Sequence, residues 1–200
     1  MTFTQPARRK APRVRIRRFL VTGLLVVVAA LAAVLGDQRL ASSSSPPASS
    51  SGEAAGAVPT GTTVFDDEVP GVAKLDPALR GALRDAAKDA ADDGATFVVD
   101  SGWRSPGYQA RLLQEAVATY GSAAEAARWV ATPDTSAHVS GDAVDVGAAA
   151  AAWLAAHGAA YGLCPVYGNE PWHYELRSEA AAHGCPSTYP DPTHDPRMQR

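Results

Sequence analysis

Cysteine and basic charge are scarce in most of this 200-residue sequence. Between residues 41 and 200 there are 10 basic and 20 acidic residues, and the whole chain holds two cysteines. A body with this excess of acid repels phosphate backbones. The shortage of basic charge therefore argues against a nucleic-acid partner. The shortage of cysteine argues against a cysteine-rich zinc module.

The first 40 residues have the opposite balance, with eight Lys/Arg and a single acid, Asp37. Within them, residues 19–36 carry no charge, and a helix of that length rises roughly 27 Å, enough for the hydrocarbon core of a membrane. Seven basic residues precede this stretch, and only Arg39 follows it closely. This asymmetry predicts a basic cytoplasmic segment at 1–18, a transmembrane signal-anchor at 19–36 and a body outside the cytoplasm.

A cleaved signal peptide is the alternative interpretation of residues 19–36, and it would make the protein secreted. The uncharged stretch exceeds the usual length of a signal-peptide core, and no small-x-small cleavage site follows Gly36. No cysteine follows closely either, which disfavours a lipoprotein anchor. We therefore expect a single-pass protein of the cell membrane with an extracytoplasmic domain.

The two cysteines, Cys164 and Cys185, are most simply a disulfide in an oxidising compartment. The loop that they would close stabilises the fold by about 3 kcal/mol in the chain-entropy model. Thiolate zinc ligands are the alternative, but the spacing matches no zinc-finger pattern. Composition also predicts the limits of the domain: a flexible Ser/Pro/Ala linker at 37–60, one domain at 61–185 and a disordered Pro-rich tail at 186–200.

Helical and strand patterns alternate irregularly through that domain. Asp76 and Pro77 provide an N-cap and a first helical residue. The patterns predict helices at 77–93, 108–119, 122–130 and 148–158, and strands at 96–100, at 143–146 and from Trp172 onward. This mixture predicts an α+β fold.

Two histidines and an acid in the second half of the chain have the chemistry of a zinc site. His138 is predicted in a loop, Asp145 in a strand and His173 in a later strand. Two imidazoles and a carboxylate bind zinc and leave a fourth position for water. An acid inside a strand is costly unless it is paired or bound to metal, and a carboxylate paired with an Arg remains the alternative for Asp145.

Two further charged residues are candidates for chemistry. Glu170 precedes Pro171 and the strand of His173, so we expect it in a loop that bends toward the same cavity, where it can accept a proton from water. Arg104 follows the predicted strand at 96–100, where functional charges often lie, although a surface pair with Asp100 would explain it equally well. The remaining histidines are interpreted as structural or surface residues: His157, His183 and His194.

Three motifs together resemble the VanY-type zinc D-alanyl-D-alanine carboxypeptidases. They are S-G-W-R-S at 101–105, S-x-H-x-x-G-x-A-x-D at 136–145 and E-P-W-H at 170–173. They occur in that order, and the resemblance covers about residues 95–185. It implies a small antiparallel sheet flanked by helices, of the hedgehog/DD-peptidase-like type.

The resemblance also implies roles for individual residues. The zinc ligands would be His138, Asp145 and His173, and Glu170 would be the catalytic base. Arg104 would hold substrate or transition-state charge, while Ser136 and Gln109 would contact the peptide.

The expected function is zinc-dependent hydrolysis of the terminal D-Ala of peptidoglycan stem peptides by a monomeric, membrane-anchored enzyme. A peptidoglycan endopeptidase or a D-Ala-D-Ala dipeptidase of the same fold are alternatives that the motifs do not separate. A non-catalytic, zinc-stabilised wall-binding module is a third, but it would have no need of Glu170.

Overall fold

A four-stranded antiparallel sheet lies at the centre of the domain. The computed structural model describes residues 48–199. Its strands are β1 (Val99–Ser101), β2 (Ala143–Val146), β3 (Leu163–Pro165) and β4 (His173–Leu176), in the spatial order β1-β2-β4-β3. The predicted α+β class with a small antiparallel sheet is confirmed. The predicted segments at 1–18 and 19–36 lie outside the described residues.

Eight α-helices surround this sheet in the described part of the chain. They are α1 (Ala48–Ala54), α2 (Pro70–Ala73), α3 (Pro77–Asp92), α4 (Pro106–Tyr120), α5 (Ala123–Ala126), α6 (Ala137–Ser140), α7 (Ala148–His157) and α8 (Ala180–His183). Short 3₁₀ turns follow at Gly158–Tyr161, Pro192–His194 and Pro196–Gln199. Between residues 48 and 199, no helix has the length and apolar character needed to cross a membrane.

Helix α3 begins where the sequence predicts and covers the core. The Asp76 side chain accepts hydrogen bonds from the backbone N–H groups of Ala78 and Leu79 at 2.8 and 3.1 Å, and Pro77 is the first helical residue. The helix buries a stripe of apolar side chains against the sheet and α7. Its buried residues are Leu79, Leu83, Ala86, Ala87 and Ala90.

Strand β1 contains a bulge where it pairs with β2. Val99 pairs with Val146 and Ser101 with Asp145, so Asp100 is an extra residue on β1 and is exposed. Bulges of this kind turn the bulged strand and re-aim the side chains beyond it. The surface pair between Arg104 and Asp100, left open by the sequence, does not form; Arg104 pairs with Asp145 instead.

His138 lies on the one-turn helix α6, and the expectation of a loop there is wrong. Ser136 is the N-cap residue, and Gly141 ends the helix in the left-handed conformation at φ 85°. A Cβ on Gly141 would lie 2.6 Å from the backbone oxygen of Lys74, so only glycine fits. The close approach fixes α6 against the start of α3.

Both predicted domain limits differ from the structure. Helix α1 lies inside the segment expected to be a flexible linker, and the Ser105 N–H donates to the Ala55 carbonyl at 2.8 Å. The expected disordered tail is ordered to residue 199, and it buries Asp191 and Asp195 at 2% and 0% exposure. Both segments are held by contacts with distant parts of the chain, which composition does not reveal.

The predicted disulfide between Cys164 and Cys185 is confirmed. It joins β3 to the residues after α8, with a Cα–Cα distance of 5.5 Å. The bond therefore anchors the start of the ordered C-terminal segment, residues 186–199, to the sheet.

Candidate metal centre and active site

The sheet register brings the predicted ligands together. On β2, Asp145 lies directly opposite His173 of β4 on one side and Ser101 of β1 on the other. His138 reaches the same place from α6, which packs against β2. All three predicted ligands are buried.

Three ligand atoms form a nearly equilateral triangle. The distances are 3.3 Å from His138 Nε2 to His173 Nδ1, 3.1 Å from His173 Nδ1 to Asp145 Oδ1, and 3.4 Å from His138 Nε2 to Asp145 Oδ1. A tetrahedral zinc site with bonds of about 2.05 Å has ligand–ligand edges of about 3.3 Å. The described residues therefore present one face of a zinc tetrahedron.

A second contact selects the ligand atom of each residue. His138 Nδ1 lies 2.8 Å from the Gly102 carbonyl, so it carries the proton and leaves Nε2 as the ligand atom. Asp145 Oδ2 accepts from Arg104 at 2.7 Å, which leaves Oδ1. His173 Nε2 lies 3.5 Å from Glu175 Oε1, which leaves Nδ1. Such outer contacts fix ring orientation and tautomer in metal sites.

The electrostatics of the triangle favour a cation. Burial alone would lower the pKa of His173, but the carboxylates of Asp145 and Glu175 outweigh it and raise the pKa to about 9. Burial alone would raise the pKa of Asp145, but His138 and His173 hold it well below the usual range. Burial lowers the pKa of His138, which favours the neutral imidazole that metals require.

Glu170 lies beside the triangle. Its Oε2 is 3.8 Å from His173 Nδ1, and its Oε1 is buried with no hydrogen-bond partner among residues 48–199. Burial raises the pKa of Glu170 to about 7. A carboxylate with an unused oxygen at this place suits proton transfer to or from a molecule bound next to the ligands.

Arg104 is fixed by three acceptors at the edge of the site. It donates from Nε to Ser101 Oγ at 2.8 Å, from Nη1 to Gln109 Oε1 at 3.1 Å and from Nη2 to Asp145 Oδ2 at 2.7 Å. A guanidinium has five N–H donors, so two remain for another acceptor. Arg104 therefore orients Asp145 and at the same time lines the cavity.

The two predicted peptide contacts have different environments. Gln109 is 1% exposed, with its amide N–H on the Ala131 carbonyl and its oxygen on Arg104, so it supports Arg104 from behind. Ser136 is buried at the start of α6, and its hydroxyl makes no capping bond there. Both residues line the same cavity as the ligands.

This cavity has a volume of about 310 Å³. Its floor is the ligand triangle with Arg104 and Glu170, and its rim carries the exposed aromatic residues Tyr120, Trp129 and Trp172. The C-terminal segment adds Pro192 and Met198 to the wall. A polar, charged floor beneath an apolar rim is typical of a small-molecule or peptide-end site.

Sequence reasoning assigned no role to three residues around the site. Strand alternation placed Glu175 on the face of His173, and that was the available signal for its contact with the imidazole. Tyr167 packs its ring against His173 at 5.1 Å between centroids and donates its hydroxyl to Asp195 at 3.0 Å. Arg197, which binds Glu175, lies in the segment predicted to be disordered, and no local pattern indicates it.

Comparison with known protein families matches residues 72–179, more than half of the chain, to VanY: D-alanyl-D-alanine carboxypeptidase. The chain belongs to the VanY family. The matched range contains every residue predicted to bind metal, bind substrate or take part in catalysis, and the family is one of hydrolases. The comparison with curated proteins gives no match.

Solved structures of the same family are similar to this chain. VanYB in complex with D-alanine-D-alanine is 31% identical, with 54% of this chain and 74% of that chain covered and a TM-score of 0.50. A variant of the vancomycin resistance D,D-pentapeptidase VanY in complex with Zn(II) is 30% identical, covering 51% and 72%, with a TM-score of 0.47. An L,D-carboxypeptidase DacB of Streptococcus pneumoniae is 32% identical, covering 56% and 73%, with a TM-score of 0.45.

Proposed function

We propose that this chain is a zinc-dependent D-alanyl-D-alanine carboxypeptidase that removes the terminal D-Ala of peptidoglycan stem peptides. The observation that carries the proposal is the buried triangle of His138, Asp145 and His173 atoms beside the Glu170 carboxylate, whose Oε1 has no hydrogen-bond partner in the described part of the chain. Family membership and the similarity to VanYB bound to D-alanine-D-alanine support it.

His138 Nε2, Asp145 Oδ1 and His173 Nδ1 would hold the zinc ion. When bound, zinc supplies Lewis-acid activation of water and of the scissile carbonyl. The Glu170 carboxylate accepts the proton of the attacking water and returns it to the departing amine. Its position in the cavity, with Oε2 3.8 Å from His173 Nδ1, supports this role.

Arg104 recognises the end of the peptide. Its two unused N–H groups donate to the terminal carboxylate or to the developing oxyanion, while the other three hold the guanidinium in place. Ser136 contributes a hydroxyl to the same cavity wall, and Gln109 keeps Arg104 oriented. A cavity of about 310 Å³ suits the end of a peptide.

We propose that the enzyme works as a monomer outside the cell membrane, anchored by residues 19–36. The uncharged stretch with seven basic residues before it supports the anchor, and the disulfide suits an oxidising compartment. Protease treatment of intact cells lacking a wall should remove the domain and leave a short membrane fragment. Protection of the domain would contradict this placement.

Product analysis separates the proposed activity from its relatives. The purified chain is incubated separately with three substrates: a stem pentapeptide ending in D-Ala-D-Ala, free D-Ala-D-Ala and a cross-linked muropeptide. The products are identified by mass spectrometry. Release of one alanine from the pentapeptide supports the proposal. Cleavage confined to the free dipeptide or to the cross-link would replace it with a dipeptidase or an endopeptidase, and no cleavage by the zinc-loaded chain would favour a binding module.

A further inference from the structure

Glu175 is a buried carboxylate that touches a proposed metal ligand. It lies two residues after His173 on β4, is 2% exposed, and its Oε1 is 3.5 Å from His173 Nε2. A carboxylate at this position accepts the Nε2 proton and so keeps Nδ1 available as a ligand atom. The position of Glu175 therefore decides how well His173 is presented to the triangle.

Arg197 holds that carboxylate with both arms of its guanidinium. Nη1 donates to Glu175 Oε2 at 2.7 Å, and Nη2 donates to Oε1 at 3.1 Å. Oε1 is the same oxygen that faces His173. A two-point contact of this kind fixes the plane of the carboxylate as well as its position.

Arg197 is itself fixed from the opposite side. Asp195 is fully buried, and its Oδ2 accepts from Arg197 Nε at 2.9 Å and from the Tyr167 hydroxyl at 3.0 Å. The order of contacts is thus Asp195, Arg197, Glu175 and His173. It runs from the C-terminal segment into the ligand triangle.

A different arginine anchors this segment without touching Glu175. Arg128 Nε donates to Asp191 Oδ2 at 3.0 Å. Arg177 Nη2 lies 2.9 Å from Glu175 Oε2, whereas the oxygen that faces His173 is Oε1. Arg128 therefore serves as a control for docking of the C-terminal segment. Arg177 serves as a control for the charge that neutralises Glu175. The two-point contact that orients the carboxylate is made by Arg197.

We propose that Arg197 is a positioning residue of the metal centre: it orients the Glu175 carboxylate, which in turn orients His173 for zinc. The inference rests on the proposed zinc function. It extends the site beyond residues 72–179, the range of the family match, into the C-terminal segment. A site built from the family motifs alone would be incomplete in this chain.

Zinc affinity tests the proposal apart from turnover. The dissociation constant of the 200-residue chain is measured by competition with a chromophoric chelator, for the unsubstituted chain and for the variants Arg197→Gln, Arg197→Lys, Arg177→Gln and Arg128→Gln. Loss of an outer contact of this type weakens metal binding by about 10- to 100-fold. We expect Arg197→Gln to raise the constant at least about tenfold, and Arg197→Lys, which keeps one contact, to raise it less. The two matched controls should change it by less than about threefold.

The melting temperature of each chelator-treated variant provides the second readout. A purely structural Arg197 would lower the melting temperature as Arg128→Gln does and leave the zinc constant unchanged, and that result would overturn the inference. If Arg197→Gln does not fold, the comparison of Arg197→Lys with Arg177→Gln decides, and equal zinc constants for these two would also overturn it. Absence of zinc binding by the unsubstituted chain would overturn the proposed function itself, whereas normal binding that ignores Arg197 overturns only this inference.

Discussion

At the scale of single residues, each of the three residues in the triangle has two polar side-chain atoms. One atom lies in the triangle, and the other contacts a further group of the protein. The sequence predicted His138, Asp145 and His173 because their residue types and motifs are informative. It did not predict that His138 turns Nε2, and His173 turns Nδ1, toward the triangle. That choice depends on the Gly102 carbonyl and the Glu175 carboxylate, which only the fold brings into contact.

The role of Glu170 leads to a prediction about chemistry without loss of structure. Glu170→Gln removes the proposed proton acceptor and keeps the shape of the side chain, so we expect kcat to fall by about 10²- to 10⁴-fold with zinc content and melting temperature nearly unchanged. Glu179→Gln, at an exposed position, is the matched control and should retain full activity. Near-normal turnover of Glu170→Gln would remove Glu170 from the mechanism.

The contacts of Arg104 lead to a prediction about the proposed recognition of a peptide end. Lysine cannot hold Ser101, Gln109 and Asp145 at once and still offer two donors, so Arg104→Lys should lower kcat/KM by about tenfold or more. The loss should be large for a peptide with a free terminal carboxylate and small for the same peptide as its amide. Equal losses on the two peptides would show that Arg104 does not read the carboxylate.

At the scale of elements, the sequence predicted the helices and strands whose limits are set by interactions between neighbouring residues. Helix α3 follows its cap and its apolar stripe, and β2 has the predicted limits. The helix expected at 122–130 ends at Ala126 instead, and beyond this end the Arg128 carbonyl accepts from the Asn169 side chain at 2.8 Å. A contact 41 residues distant in sequence leaves no mark on the local pattern.

The disulfide predicts a loss of stability at this scale. Cys164→Ala with Cys185→Ala frees a loop of 21 residues, and the chain-entropy model gives a loss of about 3 kcal/mol in the free energy of unfolding. Urea unfolding of the double variant, and of the unsubstituted chain under reducing conditions, should show the same loss. A change below about 1 kcal/mol in both would contradict an important stabilising role for the bond.

At the scale of the whole molecule, the domain is longer than composition suggests. Residues 186–199 are rich in proline and polar residues, which favoured disorder, yet two of their charged residues bind distant elements: Asp191 accepts from Arg128, and Arg197 donates to Glu175. Paired charges of this kind can be buried, whereas composition counts them only as polar. The fold class and the residues that cluster at the centre of the site were therefore predictable, but the limits of the domain were not.

The same paired acids predict how stability depends on pH. Burial alone would raise the pKa of Asp195, but its bonds to Arg197 outweigh this and lower it; the bonds of Asp191 to Thr193 and Arg128 do the same there. A carboxyl with a lowered folded pKa stabilises the fold above its unfolded pKa and loses that contribution as pH falls through the folded value. The melting temperature of chelator-treated protein should therefore fall below about pH 4.

A substitution separates this effect from general acid unfolding. Asp195→Asn should lower the melting temperature at pH 6 and make its decline toward pH 2 shallower than in the unsubstituted chain. Asp134→Asn, at an exposed position, is the control and should follow the unsubstituted curve. A decline of Asp195→Asn parallel to the other two would contradict the assignment.

The central claim is that a buried triangle of two imidazoles and a carboxylate makes this chain a zinc carboxypeptidase. The measurement that tests it most directly is release of D-Ala from a pentapeptide ending in D-Ala-D-Ala by the 200-residue chain, before chelation, after chelation and after zinc is restored. The account predicts release, loss and recovery of activity, with a bound zinc per chain in the active states. Release that persists without metal, or no release by the zinc-loaded chain, would contradict it.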